Sequence, residues 1–188
     1  MESLPSIDRK GSCHCGSVQF RVRGNILTNL LCHCKTCSQN RGMSPVHIIN
    51  VTPAEGVEIT KGEDLLTLYR GNNRVHFCFC EKCGCCVYKT HSFQAIPSFK
   101  GIFPTNFHIE DGINCTLPEE YLPKFHLNYE NRLTDWYDPL PKYKTFPEVP
   151  GLVEGPDIGI LMTNAGEEIL SLLDSKNLID TRKVLNAS

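Results

Sequence analysis

The chain has 188 residues, 40% of them hydrophobic and 21% charged, with 19 Lys or Arg against 21 Asp or Glu for a formal charge of −2. That length suits one domain with an appended tail, the composition excludes wholesale disorder, and no apolar run approaches the roughly 20 residues that span a bilayer. The near-neutral balance carries no basic arm, so neither a nucleic-acid partner nor a membrane is expected.

Asp8, Arg9 and Lys10 stand where a secretory signal would carry its apolar core, which points to a cytoplasmic protein. The first strand expected is Ser17–Arg23, where Val18, Phe20 and Val22 alternate with Gln19, Arg21 and Arg23. Similar short strands are predicted at Val46–Val51, Leu65–Tyr69, Arg74–Phe79, Cys86–Thr90, Ile102–Ile109 and Lys124–Tyr129, bounded by turns such as Arg70-Gly71-Asn72-Asn73. Short helical turns are expected at Lys35–Arg41 and Pro118–Tyr121. The reading is a mainly β, antiparallel domain over residues 10–147, followed by an extension over 148–188. Prolines 139, 141, 147, 150 and 156 keep the connecting stretch extended. Beyond it, Asn164 as a cap with Glu167 three residues on, then Ile169, Leu172 and Leu173, predicts one C-terminal helix. That helix must dock on its own domain or on a second copy of the chain, so a homo-oligomer through it is one of the two outcomes.

Eleven cysteines stand out, ten of them between Cys13 and Cys86. An odd number cannot pair completely, and dense cysteine in a reducing compartment indicates metal binding or catalysis in preference to disulfides. Three clusters have ligand spacing: Cys13-His14-Cys15-Gly16, Cys32-His33-Cys34-Lys35-Thr36-Cys37, and Cys80-Glu81-Lys82-Cys83-Gly84. Zinc holds thiolates at about 2.3 Å in a tetrahedron, with the sulfurs roughly 3.8 Å apart. Residues i and i+2 of a straight strand lie about 6.6 Å apart, so such pairs belong on tight turns, and the glycines after Cys15 and Cys83 supply the freedom these need. Spacing alone leaves the pairing open. Cys34 and Cys37 could join Cys80 and Cys83 in one four-sulfur site; alternatively Cys13 and Cys15 join Cys80 and Cys83 and leave Cys32, Cys34 and Cys37 as a group of three. Cys78, Cys85 and Cys86 read as small buried residues, and Cys115 stands apart.

These motifs in this order resemble the glutathione-dependent formaldehyde-activating enzyme family, to which centromere protein V also belongs. The resemblance runs through Gly11–Val18, Cys32–Cys37 with Arg41-Gly42, Tyr69-Arg70-Gly71, Phe79–Gly84, and the stretch from Phe125 through Trp136 to Tyr143. It implies a β-tent fold in which Cys13, Cys15, Cys80 and Cys83 hold a structural zinc and Cys32, Cys34 and Cys37 a catalytic one, two Zn2+ per chain. It also implies condensation of glutathione with formaldehyde, a carbon–sulfur lyase activity in the reverse sense.

A zinc ion with three thiolate ligands keeps a position free and carries net negative charge, so it suits a substrate thiol better than it ionises water. Lys35 and Arg41 flank that cluster and could offset its charge or hold a substrate carboxylate. His14 and His33, each between two ligand cysteines, are expected to point away from the metal. Trp136 and Tyr137 could wall a pocket or pack in the core. Two other readings stay open: a lyase or dehydratase acting on a larger metabolite, and a non-catalytic zinc-stabilised binding module.

Overall fold

The computed structural model describes residues 4–70, 75–91, 98–108 and 117–144. The expected C-terminal helix, Cys115 and the extension beyond residue 144 lie outside them. The chain forms β1 (Ser6–Ser12), β2 (Gln19–Cys32), the helix α1 (Lys35–Arg41), β3 (Val46–Thr52), β4 (Val57–Lys61), β5 (Leu66–Arg70), β6 (Val75–Cys80), β7 (Cys86–His91), β8 (Lys100–Ile102) and β9 (Phe125–Leu127). Single 3-10 turns join several of them. Seven antiparallel pairings make one sheet in the order β1-β2-β3-β8-β7-β6-β5 with β4 alongside β2, and β9 joins the end of β2 in parallel.

The long strand β2 organises the sheet. Residues Gln19–Val22 lie between β1 and β4, and Leu30–Cys32 between β3 and β9. Between these halves the register against β3 steps from Ile26 opposite Val51 to Thr28 opposite Asn50, which leaves Leu27 as an extra, bulged residue. Because side chains alternate with a period of two, one inserted residue sends all later even-numbered side chains to the opposite face. Phe20, Val22 and Ile26 accordingly join one core with Ile49, Val51 and Ile102. Leu30 and Cys32 join a second core with Val46, Ile48, Phe77 and Phe103. A second bulge, at Val87 of β7, does the same: Val87 and Tyr88, neighbours in the chain, both pack against the first core, while Cys86 lies in the second. Each fully buried Phe or Ile adds about 1.5–3 kcal/mol, so both faces are secured by ordinary apolar burial.

Several expectations need correction. The strand predicted to stop at Arg23 continues to Cys32, because Gly24-Asn25 and the Leu27 bulge break the alternation without breaking the ladder. The strand predicted over Ile102–Ile109 is Lys100–Ile102; Pro104 lacks an amide donor and opens a 3-10 turn through Asn106 instead. β1 and β4 were not anticipated, and β1 sets the start of the sheet at Ser6. The helical turns at Lys35–Arg41 and Glu119–Tyr121 lie where they were expected. No helix among the described residues is long and apolar enough to cross a membrane.

Candidate metal centres

Two hairpin-like turns bring Cys13, Cys15, Cys80 and Cys83 together, with all four sulfurs within 4.8 Å of one another. In the first turn Gly16, at φ +72°, donates its amide to the Cys13 carbonyl at 3.0 Å, and the Cys13 amide returns to the Val18 carbonyl at 3.0 Å. In the second, Gly84 at φ +69° donates to the Cys80 carbonyl at 2.8 Å, and the Cys80 amide reaches the Cys85 carbonyl at 2.9 Å. A Cβ on either glycine would meet nothing within 4 Å, so the left-handed backbone alone favours glycine there. The Cys13–Cys15 and Cys15–Cys80 sulfurs lie 3.5 and 3.9 Å apart, which brackets the roughly 3.8 Å edge of a zinc–thiolate tetrahedron. The Val18 amide donates to the Cys13 sulfur at 3.3 Å, and hydrogen bonds from Ser17 hold the Cys15 thiol down at about 6. The lowered Cys15 favours thiolate, the form that binds metal.

The second cluster sits on the other core. Cys32 ends β2, Cys34 caps α1, and Cys37 lies in the first turn of that helix, its amide donating to the Cys34 sulfur at 3.3 Å. These three sulfurs also lie within 4.8 Å of one another, and Cys32 and Cys37 are buried. Hydrogen bonds from the Cys34 and Cys37 thiols hold Cys32 well below the ordinary thiol range, while its bond to the Cys32 sulfur pushes Cys34 up to about 12. Asn128 extends its amide towards Cys32 at 3.7 Å. Of the two pairings that spacing left open, the geometry is the one with four sulfurs in one place and three in another. The soft donors fit zinc in both: four complete its shell, three leave one position.

Beside the three-sulfur cluster runs a polar chain that sequence reasoning did not find. His33, only 1% exposed, holds its Nε2 2.8 Å from Nδ1 of His126, which is 0% exposed. His126 Nε2 lies 2.8 Å from Asp138 Oδ2, and Lys142 Nζ lies 2.9 Å from Asp138 Oδ1. A carboxylate only accepts, so His126 carries its proton on Nε2 and accepts at Nδ1, and His33 donates from Nε2. Burial holds His33 down at about 4, so it is neutral at physiological pH. Its Nδ1 is a buried acceptor with no partner among the described residues. Burial pushes the Asp138 carboxyl up, but bonds from Lys142 and His126 outweigh it and hold the group at about 2. Tyr129 lies edge-on to both imidazoles, at 5.0 and 5.6 Å. Nothing in the local sequence marks His126 and Asp138 as partners of His33; the parallel pairing of β9 with the end of β2 brings them there.

The two cations expected at this cluster have different surroundings. Lys35 is exposed on α1. Arg41 stacks 4.2 Å over Phe103 and donates to the Cys86 carbonyl at 3.0 Å and the Thr105 hydroxyl at 3.2 Å. His14 is exposed. Tyr137 is 97% exposed, and the Trp136 ring lies 6.1 Å from that of His126. Cys78, Cys85 and Cys86 fall outside both clusters; the Cys85 thiol turns to the Asn106 side-chain oxygen at 3.6 Å and the Cys86 thiol to the Tyr88 carbonyl at 3.8 Å.

Among solved structures, the chain is similar to a crystal structure of a Rhodobacter sphaeroides protein, at 25% identity and a TM-score of 0.43, over 56% of this chain and 90% of that one. A family model described as glutathione-dependent formaldehyde-activating enzyme matches residues 8–117, a span that takes in both sulfur clusters. The chain belongs to the glutathione-dependent formaldehyde-activating enzyme family.

Proposed function

We propose that this protein is a zinc-dependent carbon–sulfur lyase that joins, or in reverse releases, a glutathione-like thiol and a small aldehyde such as formaldehyde. The observation that carries the reading is the separation of a four-sulfur cluster from a three-sulfur one on the opposite face of the sheet. A closed set suits a structural role for Cys13, Cys15, Cys80 and Cys83, and an open set suits chemistry at Cys32, Cys34 and Cys37.

Zinc held by the three cysteines would supply a soft, thiophilic position that favours the ionised form of a substrate thiol. Cys32, Cys34 and Cys37 bind that ion, the capped first turn of α1 fixes Cys34 relative to Cys37, and His33 is locked by His126 so that the Cys32–Cys34 loop keeps one geometry. In the condensing direction the thiol loses its proton, its sulfur forms a bond to the aldehyde carbon, and the carbonyl π pair moves to oxygen, which takes up a proton. The product is a hydroxymethyl thioether, with no oxidant or reductant required.

The test is exchange between 13C-formaldehyde and its glutathione adduct, followed by NMR on zinc-loaded protein and on Cys34→Ala. Acceleration above the uncatalysed rate, abolished in a folded Cys34→Ala, is expected. No acceleration in the parent with glutathione or other small thiols would overturn the reading, and specific capture of a macromolecule would instead favour a binding module.

A further inference from the structure

Asn128 is the first residue after β9, and its backbone stands in the left-handed region at φ +55° and ψ +42°. Among the described residues it is the one residue other than glycine with a positive φ. Asparagine tolerates that region because its short amide can bond to nearby backbone, and at the head of a helical turn it commonly caps the turn. Asn128 heads the 3-10 turn Tyr129–Asn131 but makes no side-chain cap bond to it. Its amide nitrogen turns instead to the Cys32 sulfur at 3.7 Å, across 96 positions of the chain. The backbone is tied down on both sides. The His33 amide donates to the Leu127 carbonyl at 2.9 Å, and the Tyr129 amide to the Tyr143 carbonyl at 2.9 Å. Sparsely populated backbone conformations that the surroundings fix in this way cluster at functional sites.

The sulfurs of the three-cysteine cluster receive their hydrogen bonds from different sources. Cys34 accepts from the backbone amide of Cys37 at 3.3 Å, whereas Cys32, only 4% exposed, accepts from the Asn128 side chain. The cations nearest in sequence are placed otherwise: Lys35 is exposed on α1, and Arg41 is committed to Phe103, the Cys86 carbonyl and the Thr105 hydroxyl. Three thiolates around a divalent ion leave one net negative charge, and a thiolate as fourth ligand leaves two. A metal-bound thiolate has no proton and only accepts, so the amide presents an Nδ2 hydrogen to it. Such a bond orients the sulfur, draws off part of its charge and leaves the metal more receptive to an anionic fourth ligand.

We propose that Asn128 is a positioning residue of the three-cysteine site, acting on the metal through Cys32: its amide donates to the Cys32 thiolate, fixes that ligand and favours a thiolate in the open position. This rests on the reading that Cys32, Cys34 and Cys37 hold a divalent metal. The left-handed backbone at Asn128 serves to aim the amide back at Cys32 from a strand that runs parallel to the end of β2.

The experiment is competition for Zn2+ by a chromophoric chelator on the full chain, comparing the parent, Asn128→Gly and Asn128→Asp. Glycine keeps the left-handed backbone without strain and removes the amide, while aspartate keeps the shape and sets a carboxylate against the sulfur. The binding class lost in Cys34→Ala identifies the three-cysteine site, and the four-cysteine class reports on folding within the same molecule. Asn128→Gly is expected to weaken the three-cysteine class about tenfold, the scale of a lost partner to a metal ligand. Asn128→Asp should weaken it further, and the four-cysteine class should hold in both. On Co2+-loaded protein the sulfur-to-metal absorption band of the three-cysteine site should move to longer wavelength in Asn128→Gly, because a sulfur that loses a donor holds its lone pairs less tightly. A residue that only shaped the turn would leave that band in place. An unchanged three-cysteine class in Asn128→Gly, a loss in Asn128→Asp no larger than in Asn128→Gly, or an unmoved cobalt band overturns the inference alone. A parent with no second zinc class overturns it together with the reading beneath it. Missing thiol–aldehyde activity alongside the selective loss and the band shift would sink only the proposed reaction.

Discussion

Replacing Asp138 with alanine tests whether the buried imidazole chain secures the loop that carries Cys32 and Cys34. The substitution removes the acceptor at 2.8 Å from His126 Nε2, an atom on a side chain 0% exposed. An abandoned buried donor costs about 1–3 kcal/mol. The Lys142–Asp138 pair goes as well, but its side chains are 24% and 28% exposed, and a partly solvated pair adds at most about 1 kcal/mol. The sum is about 3 kcal/mol, dominated by His126. For a chain of this size that is a fall of roughly 6–12 °C in Tm. The assay is urea and thermal unfolding of zinc-loaded protein, where the urea midpoint should drop at unchanged m. Adding Lys142→Met to Asp138→Ala should then cost only what the ammonium's remaining bonds to the Asp138 and Leu140 carbonyls, at 2.8 and 3.2 Å, contribute, because the carboxylate pair is already gone. A loss below about 1 kcal/mol would refute the view that Asp138 holds the His126–His33 pair in place.

Gly101→Ala forces a methyl against the Lys89 stem and should cost about 1–3 kcal/mol by overpacking, read as a lower urea midpoint. Cys80→Ser removes a 0% exposed ligand from the four-sulfur cluster and should lower the urea midpoint far more than Cys34→Ser does, since only the first site ties the ends of β1 and β6 together. His47, which contacts the Asn29 side-chain oxygen at 2.7 Å, is pushed down by burial to about 4. Its neutral form is the one the fold favours, so its contribution is full above the unfolded value near 6.5 and is lost as pH falls towards 4. The stability gap between the parent and His47→Gln, measured by urea unfolding, should therefore shrink across that window; a constant gap would contradict the assignment.

Much of the fold could be read from the residues because the relevant signals are local. The alternation in Val18–Val22, the β-branched run Val46–Val51 and the turn-forming Gly16 and Gly84 each act within a few residues. The limits of β2 could not be read so easily. Its bulge at Leu27 reverses which residues face inward, and a reversed pattern looks like a strand end. Sulfur spacing marked all seven clustered cysteines, yet which pairs combine depends on how the first and third turns meet across the sheet. Contacts between residues far apart in the chain were the hardest to anticipate. Lys89 looks like a solvent-facing residue of an ordinary strand until β8 places Gly101 beside it, and Asp138 looks like part of a proline-rich linker until β9 brings His126 within reach. Such encounters are long-range, and neither composition nor periodicity records them.

The most direct test of the account is metal stoichiometry on the parent and on Cys34→Ala. Two zinc ions per chain in the parent, falling to one in a variant that stays folded, is the predicted result. One zinc per chain in both would contradict the separation into a closed and an open site on which the proposed chemistry depends.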